Sequence, residues 1–168
     1  EKVSPLMPVF RPDGTVTAGN ACPLNDGAAA VVVMSSTRAE ELGIKPLARI
    51  VASAVTGLNP EIMGLGPVAA IKKVLDRANM TIDEIDLIEI NEAFAVQVIA
   101  SADELGIDVD RQLNVNGGSI ALGHPFGMTG ARIMTTLLNG LEDADKRFGL
   151  ESMCVGGGQG MAMIVERL

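Results

Sequence analysis

The sequence predicts an α/β domain in which helices pack on a layered, mixed β-sheet. Short apolar runs alternate along the chain with segments of helical periodicity. Capping boxes and glycines mark several helix ends. The glycine-rich stretch 156–160 separates the last two apolar runs and predicts a closing hairpin. Such a hairpin makes the sheet mixed rather than purely parallel.

The first third of the chain predicts a loop, a strand, a short helix and a second strand. Residues 1–27 are rich in proline and glycine, which favours a loop. Ala28–Met34 is a continuous small-apolar run, typical of a strand buried on both faces. Residues 37–40 match a capping box, and Gly43 can end the helix that follows. Leu47–Val55 is rich in β-branched residues and predicts the second strand.

The middle of the chain alternates helix and strand. Pro67 suits the first turn of a helix, and an apolar stripe follows it. The stripe consists of Val68, Ile71, Leu75 and Ala78. Residues 81–84 form a second capping box that opens a short turn. Asp86–Ile90 predicts a strand, and Glu92–Leu105 predicts a helix ended by Gly106.

The last third contains the densest glycine cluster. Leu113–Asn116 predicts a short strand that leads into residues 117–132, which hold five glycines and the only histidine. Such glycine density marks a backbone path set by close contacts. Apolar residues at helical spacing then predict a helix over residues 129–141. Leu150–Val155 and Met161–Val165 predict the two strands of the hairpin.

Composition excludes several classes of function. The net charge of -8 and the scarcity of aromatic residues argue against nucleic-acid binding. No apolar run is long enough to span a bilayer. Cys22 and Cys154 belong to no zinc motif, although a disulfide between them stays open. The first residues resemble no signal peptide, and residues 166–168 depart from the peroxisomal signal, so we expect a cytoplasmic protein.

Three side chains follow predicted strands and are candidates for chemistry: Asn91, His124 and Cys154. Ligands of α/β sheets bind at the carboxyl ends of strands, so the three are expected to converge. Each has a structural alternative. Asn91 can be a helix cap, His124 can be a structural histidine with satisfied hydrogen bonds, and Cys154 can be a small buried hydrophobic residue. The glycines after Cys154 offer bare amides for an oxyanion, whereas the glycine cluster at 117–132 lacks both standard nucleotide-binding motifs.

Four motifs occur in order along the chain. They are Gly19-Asn20-Ala21 with residues 25–29, then Asn91-Glu92-Ala93-Phe94, then Asn116-Gly117-Gly118 through Gly123-His124-Pro125, and finally residues 154–160. Together they resemble the motifs of the thiolases, the acetyl-CoA acetyltransferases and 3-ketoacyl-CoA thiolases. The resemblance extends over almost the whole chain but corresponds only to the C-terminal part of a thiolase.

The resemblance implies a domain division. Residues 1–24 would be the tail of a loop domain, residues 25–43 would complete the N-terminal domain, and residues 44–168 would form the C-terminal domain. The fold would be the C-terminal half of the layered thiolase architecture. The nucleophilic cysteine of the family belongs to the N-terminal half, and this chain offers no candidate for it.

The resemblance also assigns chemical roles. His124 would activate the nucleophile and donate to a thioester oxygen, and Cys154 would act as general acid and base at the carbon next to the carbonyl. Asn91 would hold a water that forms an oxyanion hole with His124. The amide of Gly156 would contribute to a second hole. The activity would be acyl transfer to or from coenzyme A, by Claisen condensation or thiolytic cleavage of 3-ketoacyl-CoA.

Substrate and partners follow from the same resemblance. Coenzyme A or an acyl-CoA would be the substrate, with no other cofactor and no metal. A thiolase N-terminal half would be the partner, in a homodimer or homotetramer that serves fatty-acid metabolism, including β-oxidation. The residues expected to contact coenzyme A are Ala18, Cys22, Ala93, Phe94 and Phe126.

Two other functions compete with this one. A non-catalytic, CoA-binding subunit of a hetero-oligomer would keep the motifs without the chemistry. Intact His124 and Cys154 argue against it, because binding alone needs neither. A decarboxylating condensing enzyme is disfavoured because such enzymes carry a second histidine where Cys154 stands.

Overall fold

A four-stranded mixed sheet forms the centre of the computed structural model, which describes residue 3 and residues 5–168. The strand order is β1-β4-β3-β2. Strand β4 pairs antiparallel with both β1 and β3, whereas β2 and β3 run parallel. The strands are β1 (Ala48–Gly57), β2 (Leu87–Ile90), β3 (Phe148–Val155) and β4 (Gln159–Arg167). The predicted mixed sheet and closing hairpin are therefore confirmed.

Five α-helices and two 3-10 turns connect the strands in the described part of the chain. The α-helices are α1 (Ser36–Glu41), α2 (Gly66–Ala78), α3 (Ala95–Leu105), α4 (Ser119–Leu122) and α5 (Thr129–Asp143). The 3-10 turns are Pro60–Leu65 and Ile82–Glu84. The predicted helix that begins near Pro67 and the capping box at residues 81–84 are confirmed. The helix predicted from residue 129 is confirmed as well.

The two faces of the sheet carry separate apolar clusters because side chains alternate along a strand. On β2, Ile88 and Ile90 pack with residues of α2 and α3. Their neighbour Leu87 points the other way and packs with Leu137 and Leu141 of α5. The helices therefore cover the sheet from both sides, as an α/β layered fold requires. The odd-numbered residues of β2, Leu87 and Glu89, therefore face α5.

Close backbone contact fixes the start of α2 against the start of β4. A Cβ atom on Gly160 would overlap the carbonyl of Gly66, and one on Gly66 would overlap the carbonyl of Gln159. Only glycine allows these two segments to approach this closely. This contact holds the glycine turn of the hairpin next to the N-terminus of α2.

The strand predicted at Ala28–Met34 is wrong. These residues belong to no helix or strand, and most of their side chains are exposed, with Val32 at 83% and Val33 at 70%. An apolar run indicates burial, but burial in a sheet needs a neighbouring strand. None of the described residues supplies one for this segment.

Other element boundaries also differ from the prediction. Leu113–Asn116 forms only one bridge, between Leu113 and Ile88, because Asn114 turns to a φ of 46° and pairs with β2 through its side chain. Helix α1 begins at Ser36 and is capped by Ser35, two residues before the predicted cap. Helix α3 begins at Ala95 rather than at Glu92, since Glu92 turns toward the glycine cluster.

Within residues 3 and 5–168, we find no helix that combines the length and the apolarity needed to cross a membrane.

Candidate active site

Asn91 follows β2 directly and is buried at 1% exposure. Its backbone N–H donates to the carbonyl of Ser152 on β3 at 2.9 Å. Its side-chain Oδ1 accepts from the hydroxyl of Ser119 at 2.6 Å, whereas its Nδ2 has no partner among the described residues. The predicted alternative, a helix cap, is wrong because α3 starts four residues later. A buried amide donor without a partner is costly, which indicates a site for a ligand or a water.

Glu92 anchors the glycine cluster to the end of β2. Its carboxylate accepts from the backbone N–H of Ile120 at 3.1 Å and from the side chain of Asn114 at 2.9 Å. A Cβ atom on Gly118 would overlap this carboxylate, so a side chain there would displace Glu92 from these hydrogen bonds. The motif that begins at Asn91 thus also positions α4.

His124 lies half-buried just before α5, after Gly123, whose φ is 96°. A Cβ atom on Gly123 would overlap the side chain of Asn25. The Nδ1 of His124 lies 2.6 Å from the hydroxyl of Thr129, and this hydroxyl donates to the carbonyl of Pro125 at 3.0 Å. A hydroxyl has one proton, so we assign the proton between the ring and Thr129 to Nδ1. The neutral ring then presents Nε2 as a proton acceptor.

Two effects keep the His124 ring neutral. Partial burial lowers its pKa from the ordinary 6.5, and the nearby charge of Arg132 lowers it further. Phe126 lies against the ring with a centroid distance of 4.8 Å and is itself 82% exposed. His124 therefore has both the tautomer and the charge state of a general base.

Cys154 is the second-last residue of β3 and is buried at 8% exposure. Its thiol donates to Oε1 of Gln97 on α3 at 3.5 Å. A thiol whose thiolate accepts hydrogen bonds from nearby glycine amides would have a depressed pKa. Instead, burial raises the pKa of the thiol, and the neighbouring Cys22 adds to the rise. Cys154 is therefore a thiol in this structure, in the form that donates a proton.

Gly156 opens the turn of the hairpin two residues after Cys154. It is exposed, and a Cβ atom there would meet nothing within 4 Å, whereas its carbonyl accepts from Nε2 of Gln159 at 3.0 Å. The next two residues, Gly157 and Gly158, have φ values of 83° and 84°, which favour glycine. The turn conformation thus leaves room for a ligand beside Gly156.

Three of the residues predicted to bind coenzyme A lie together. The N–H of Cys22 donates to the carbonyl of Ala93 at 3.0 Å, and Ala21 forms a bridge with Phe94. Ala18 lies exposed on the turn before this pairing. Phe126 instead contacts His124, as described above. Residues 21 and 22 therefore run beside the segment that follows Asn91.

A buried charged cluster lies on the α5 face of the sheet, beneath Asn91. Glu89 of β2 and Glu151 of β3 are aligned neighbours in the parallel pair. Burial raises the pKa of both carboxyls to about 7, although the charge of Arg132 opposes the rise. Arg132 of α5 lies 3.9 Å from Glu89 through Nη1 and donates from Nη2 to the hydroxyl of Ser119 at 2.9 Å.

The hydrogen bonds described above link Asn91 and Cys154 to further side chains. Asn91 reaches Arg132 through Ser119, and Cys154 reaches α3 through Gln97. Sequence reasoning missed Ser119, Gln97 and Arg132, because none of them stands out by type or spacing. In the described part of the chain, no group of three or more His, Cys, Asp or Glu residues is arranged to hold a metal ion.

Comparison with known proteins gives a consistent result. A family model described as "Thiolase, C-terminal domain" matches residues 44–167, and one described as "Thiolase, N-terminal domain" matches residues 1–37. The acetyl-CoA acetyltransferase of Syntrophomonas wolfei is 54% identical over 100% of this chain. The 3-ketoacyl-CoA thiolase of Enterobacter is 53% identical over 100% of it.

Solved structures are similar over nearly the whole chain. The Bacillus anthracis acetyl-CoA acetyltransferase superposes with a TM-score of 0.96 at 50% identity, covering 99% of this chain. Human mitochondrial 3-ketoacyl-CoA thiolase, solved in complex with CoA, gives 0.92 at 44% identity and the same coverage. The chain spans only 42% of each of these two structures, and 43% and 44% of the two relatives from Syntrophomonas and Enterobacter.

Proposed function

This chain belongs to the thiolase family, and from that premise we propose that it is the C-terminal part of an acyl-CoA thiolase. Residues 1–24 would be the tail of a loop domain, residues 25–43 a piece of the N-terminal domain, and residues 44–168 the C-terminal domain. The nucleophilic cysteine would come from an N-terminal half. The reaction is acyl transfer to or from coenzyme A, with cleavage or formation of the carbon–carbon bond of a 3-ketoacyl-CoA.

The observation that carries this proposal is the unpartnered, buried Nδ2 of Asn91. An amide donor held in this way stabilises a water or an oxygen that gains negative charge, which an enolate or a thioester intermediate requires. His124 supports the same chemistry with a free Nε2. Together the two groups supply one hydrogen-bond donor and one proton acceptor.

The proposed reaction divides the proton transfers between two residues. In the cleavage direction, Nε2 of His124 takes the proton of the incoming cysteine, whose sulfur attacks the 3-keto carbon. The carbon–carbon bond breaks, the acyl group stays on the sulfur, and the thiol of Cys154 protonates the departing enolate carbon. Coenzyme A then gives its thiol proton to the Cys154 thiolate and accepts the acyl group, while the protonated His124 returns its proton to the departing cysteine sulfur. In condensation, Cys154 removes the same carbon-bound proton.

Two oxyanion sites complete the proposed mechanism. A water held by Nδ2 of Asn91, together with His124, would stabilise the enolate oxygen of the leaving acetyl-CoA. The open amide of Gly156 would stabilise the acyl-enzyme intermediate. The raised pKa of Cys154 supports the donor role in cleavage, since the thiol stays protonated at neutral pH.

The contact residues for coenzyme A are part of the proposal. Cys22 pairs with Ala93, and its neighbour Ala21 pairs with Phe94, so these residues lie together. Ala18 and Phe126 are exposed. The CoA complex of the human relative supports this class of ligand. We assign no further cofactor and no metal to the reaction.

Assembly and location extend the proposal. A homodimer or homotetramer that acts in fatty-acid metabolism agrees with relatives named 3-ketoacyl-CoA thiolase, and β-oxidation is the corresponding degradative route. A cytoplasmic location agrees with the two free cysteines, Cys22 and Cys154, because a reducing compartment preserves thiols. Sedimentation of the reconstituted protein and fractionation of cells test these two points.

The deciding experiment measures thiolysis of acetoacetyl-CoA. The purified chain is assayed alone and after mixing with a thiolase N-terminal half that carries the nucleophile. We expect turnover only in the mixture, and we expect Cys154→Ala to abolish cleavage there while the dissociation constant of coenzyme A stays unchanged. Robust turnover by the chain alone would refute the need for an upstream cysteine.

The control identifies the competing function. If the two halves form a complex and bind coenzyme A but show no turnover, the chain is a CoA-binding subunit instead. An Asn91→Ala variant of an active mixture separates the roles further. It should lose turnover by about 100-fold, the cost of one oxyanion donor, with little change in coenzyme A binding.

A further inference from the structure

A continuous hydrogen-bonded chain of buried side chains ends at the Asn91 amide. Nη2 of Arg132 donates to Oγ of Ser119 at 2.9 Å, and Oγ of Ser119 lies 2.6 Å from Oδ1 of Asn91. Ser119 is 0% exposed and Asn91 is 1% exposed. Because Ser119 and the Oδ1 that it faces are buried, the protein groups around them decide which atom donates between Ser119 and Asn91; Arg132 keeps 12% of its side chain exposed.

The chemistry of the three groups fixes the direction of donation. A guanidinium only donates hydrogen bonds, so Ser119 must accept from Arg132. The single proton of Ser119 is then free to point at Asn91, which must offer its oxygen. The reverse orientation of the amide would leave both the Ser119 proton and Oδ1 unpaired in a buried place, whereas the observed one leaves only Nδ2 unpaired.

We propose that Ser119 and Arg132 are positioning residues that set the polarity of the Asn91 amide and aim Nδ2 into the active site. This inference rests on the proposed function. It adds two residues outside the reacting atoms, Ser119 on α4 and Arg132 on α5. Ser119 acts through Asn91, and Arg132 acts through Ser119 in addition to lowering the pKa of His124. Glu92 and Gly118 support them by fixing α4 against the end of β2.

The reaction-based test is a double-mutant cycle in the reconstituted thiolase. Ser119→Ala removes one oxygen atom and should lower kcat for thiolysis by about 10- to 100-fold, with KM for coenzyme A within about twofold. In an Asn91→Ala background, the same Ser119→Ala change should have no further effect, since the residue acts through the amide. Additive effects of the two substitutions would overturn the proposal.

A second buried serine provides the matched control. Ser101 is also 0% exposed, but its hydroxyl donates to the backbone of its own helix, at Gln97. Ser101→Ala removes the same atom from an equally buried position and should leave kcat and KM unchanged. A loss in Ser101→Ala equal to that in Ser119→Ala would show a general packing effect and contradict the positioning role.

A readout without activity separates this proposal from the proposed function. Neutron diffraction from deuterium-exchanged crystals locates the deuterium of the Ser119 hydroxyl and those of the Asn91 amide. We expect the hydroxyl deuterium on the line to Oδ1. Amide deuterium on the atom that faces Ser119 would overturn the proposal. If the reconstituted protein shows no thiolysis, the proposed function fails, and the deuterium positions still decide this inference.

Discussion

His124 shows how one neighbouring hydroxyl determines the chemical form of a residue. Thr129 donates to Pro125 and therefore accepts from Nδ1, which leaves Nε2 unprotonated in the neutral ring. Burial and Arg132 lower the pKa of the ring, which favours this neutral form. The glycine cluster identified the histidine as a candidate, but only the structure specifies which nitrogen is available.

Thr129→Val tests this assignment at the level of the residue. The substitution keeps the shape and removes the hydroxyl, so the proton can shift to Nε2 and the ring becomes a poorer base. We expect kcat/KM for thiolysis to fall by about 10- to 100-fold. We also expect the acid limb of the wild-type pH profile to lie below pH 6.5, because His124 has a lowered pKa.

The control for this prediction lies on the same helix. Thr135 is exposed, and its hydroxyl donates to the backbone of Ala131. Thr135→Val should leave the rate and the pH profile unchanged. An unchanged rate in Thr129→Val would contradict the proposed role of the hydroxyl, and an acid limb above pH 6.5 would contradict the lowered pKa.

Individual site residues were predictable only where residue type and local context coincide. His124 is the sole histidine and sits among glycines, and Cys154 precedes a glycine run, so both stand out in the sequence. Ser119 and Arg132 do not, because their importance comes from contacts with residues far away in the sequence: Ser119 contacts Asn91, 28 residues earlier, and Arg132 contacts Ser119 and Glu89. The raised pKa of Cys154 was not predictable either, because it results from burial in the folded chain.

The parallel pair of β2 and β3 places two carboxyls side by side, which has a consequence for stability. Glu89 and Glu151 have ordinary pKa values near 4.5 and folded values of about 7. Because the pKa is higher in the folded state, the folded state binds more protons than the unfolded state between pH 4.5 and about pH 7. The free energy of unfolding therefore falls as pH rises from about 5 to 7, by up to about 1.4 kcal/mol per pH unit for each carboxyl.

Glu151→Gln should reduce this pH dependence. The neutral amide keeps the shape but cannot ionise, so the free energy of unfolding should decline less steeply between pH 5 and pH 7 than in the wild type. Urea denaturation of the chain at several pH values measures the slope. Glu104→Gln is the control, because Glu104 is an exposed partner of Lys72 on the surface. His124 has a lowered pKa and acts in the opposite sense, but equally in all three proteins.

The result that would contradict this prediction is a slope in Glu151→Gln equal to that of the wild type and of Glu104→Gln. Such a result would mean that Glu151 is ionised in the folded protein at pH 5 to 7. The charge of Arg132 would then outweigh the cost of burial.

Elements were predictable where their own sequence determines them. Helices α2 and α5 carry an apolar stripe, and the hairpin of β3 and β4 carries a glycine turn, so local pattern sufficed. The strand prediction for Ala28–Met34 was wrong because hydrophobicity indicates burial but does not indicate which segment packs against the strand. The predicted start of α3 was wrong because Glu92 accepts a hydrogen bond from Ile120, and local helix propensity cannot reveal such a long-range contact.

At the scale of the whole molecule, the N-terminal region exposes apolar side chains that a folded domain normally buries. Leu24 is 99% exposed, and Val32 and Val33 are also largely exposed. Gly27 nevertheless touches Pro125 and Met128, next to His124. This segment falls within the match to the thiolase N-terminal domain model, which ends at residue 37. Its apolar surface is therefore expected to be covered when an N-terminal half binds.

Amide hydrogen exchange, followed by mass spectrometry, tests this expectation. Residues 28–34 lie outside the sheet, so their amides should exchange within seconds in the chain alone. Adding a thiolase N-terminal half should slow their exchange by at least about 100-fold, because pairing of these unpaired residues with strands of the partner would make their amides open only with its domain. Strand β4 is the internal control and should be protected in both samples. Unchanged exchange at residues 28–34 in a demonstrated complex would mean that this segment does not join the partner's sheet.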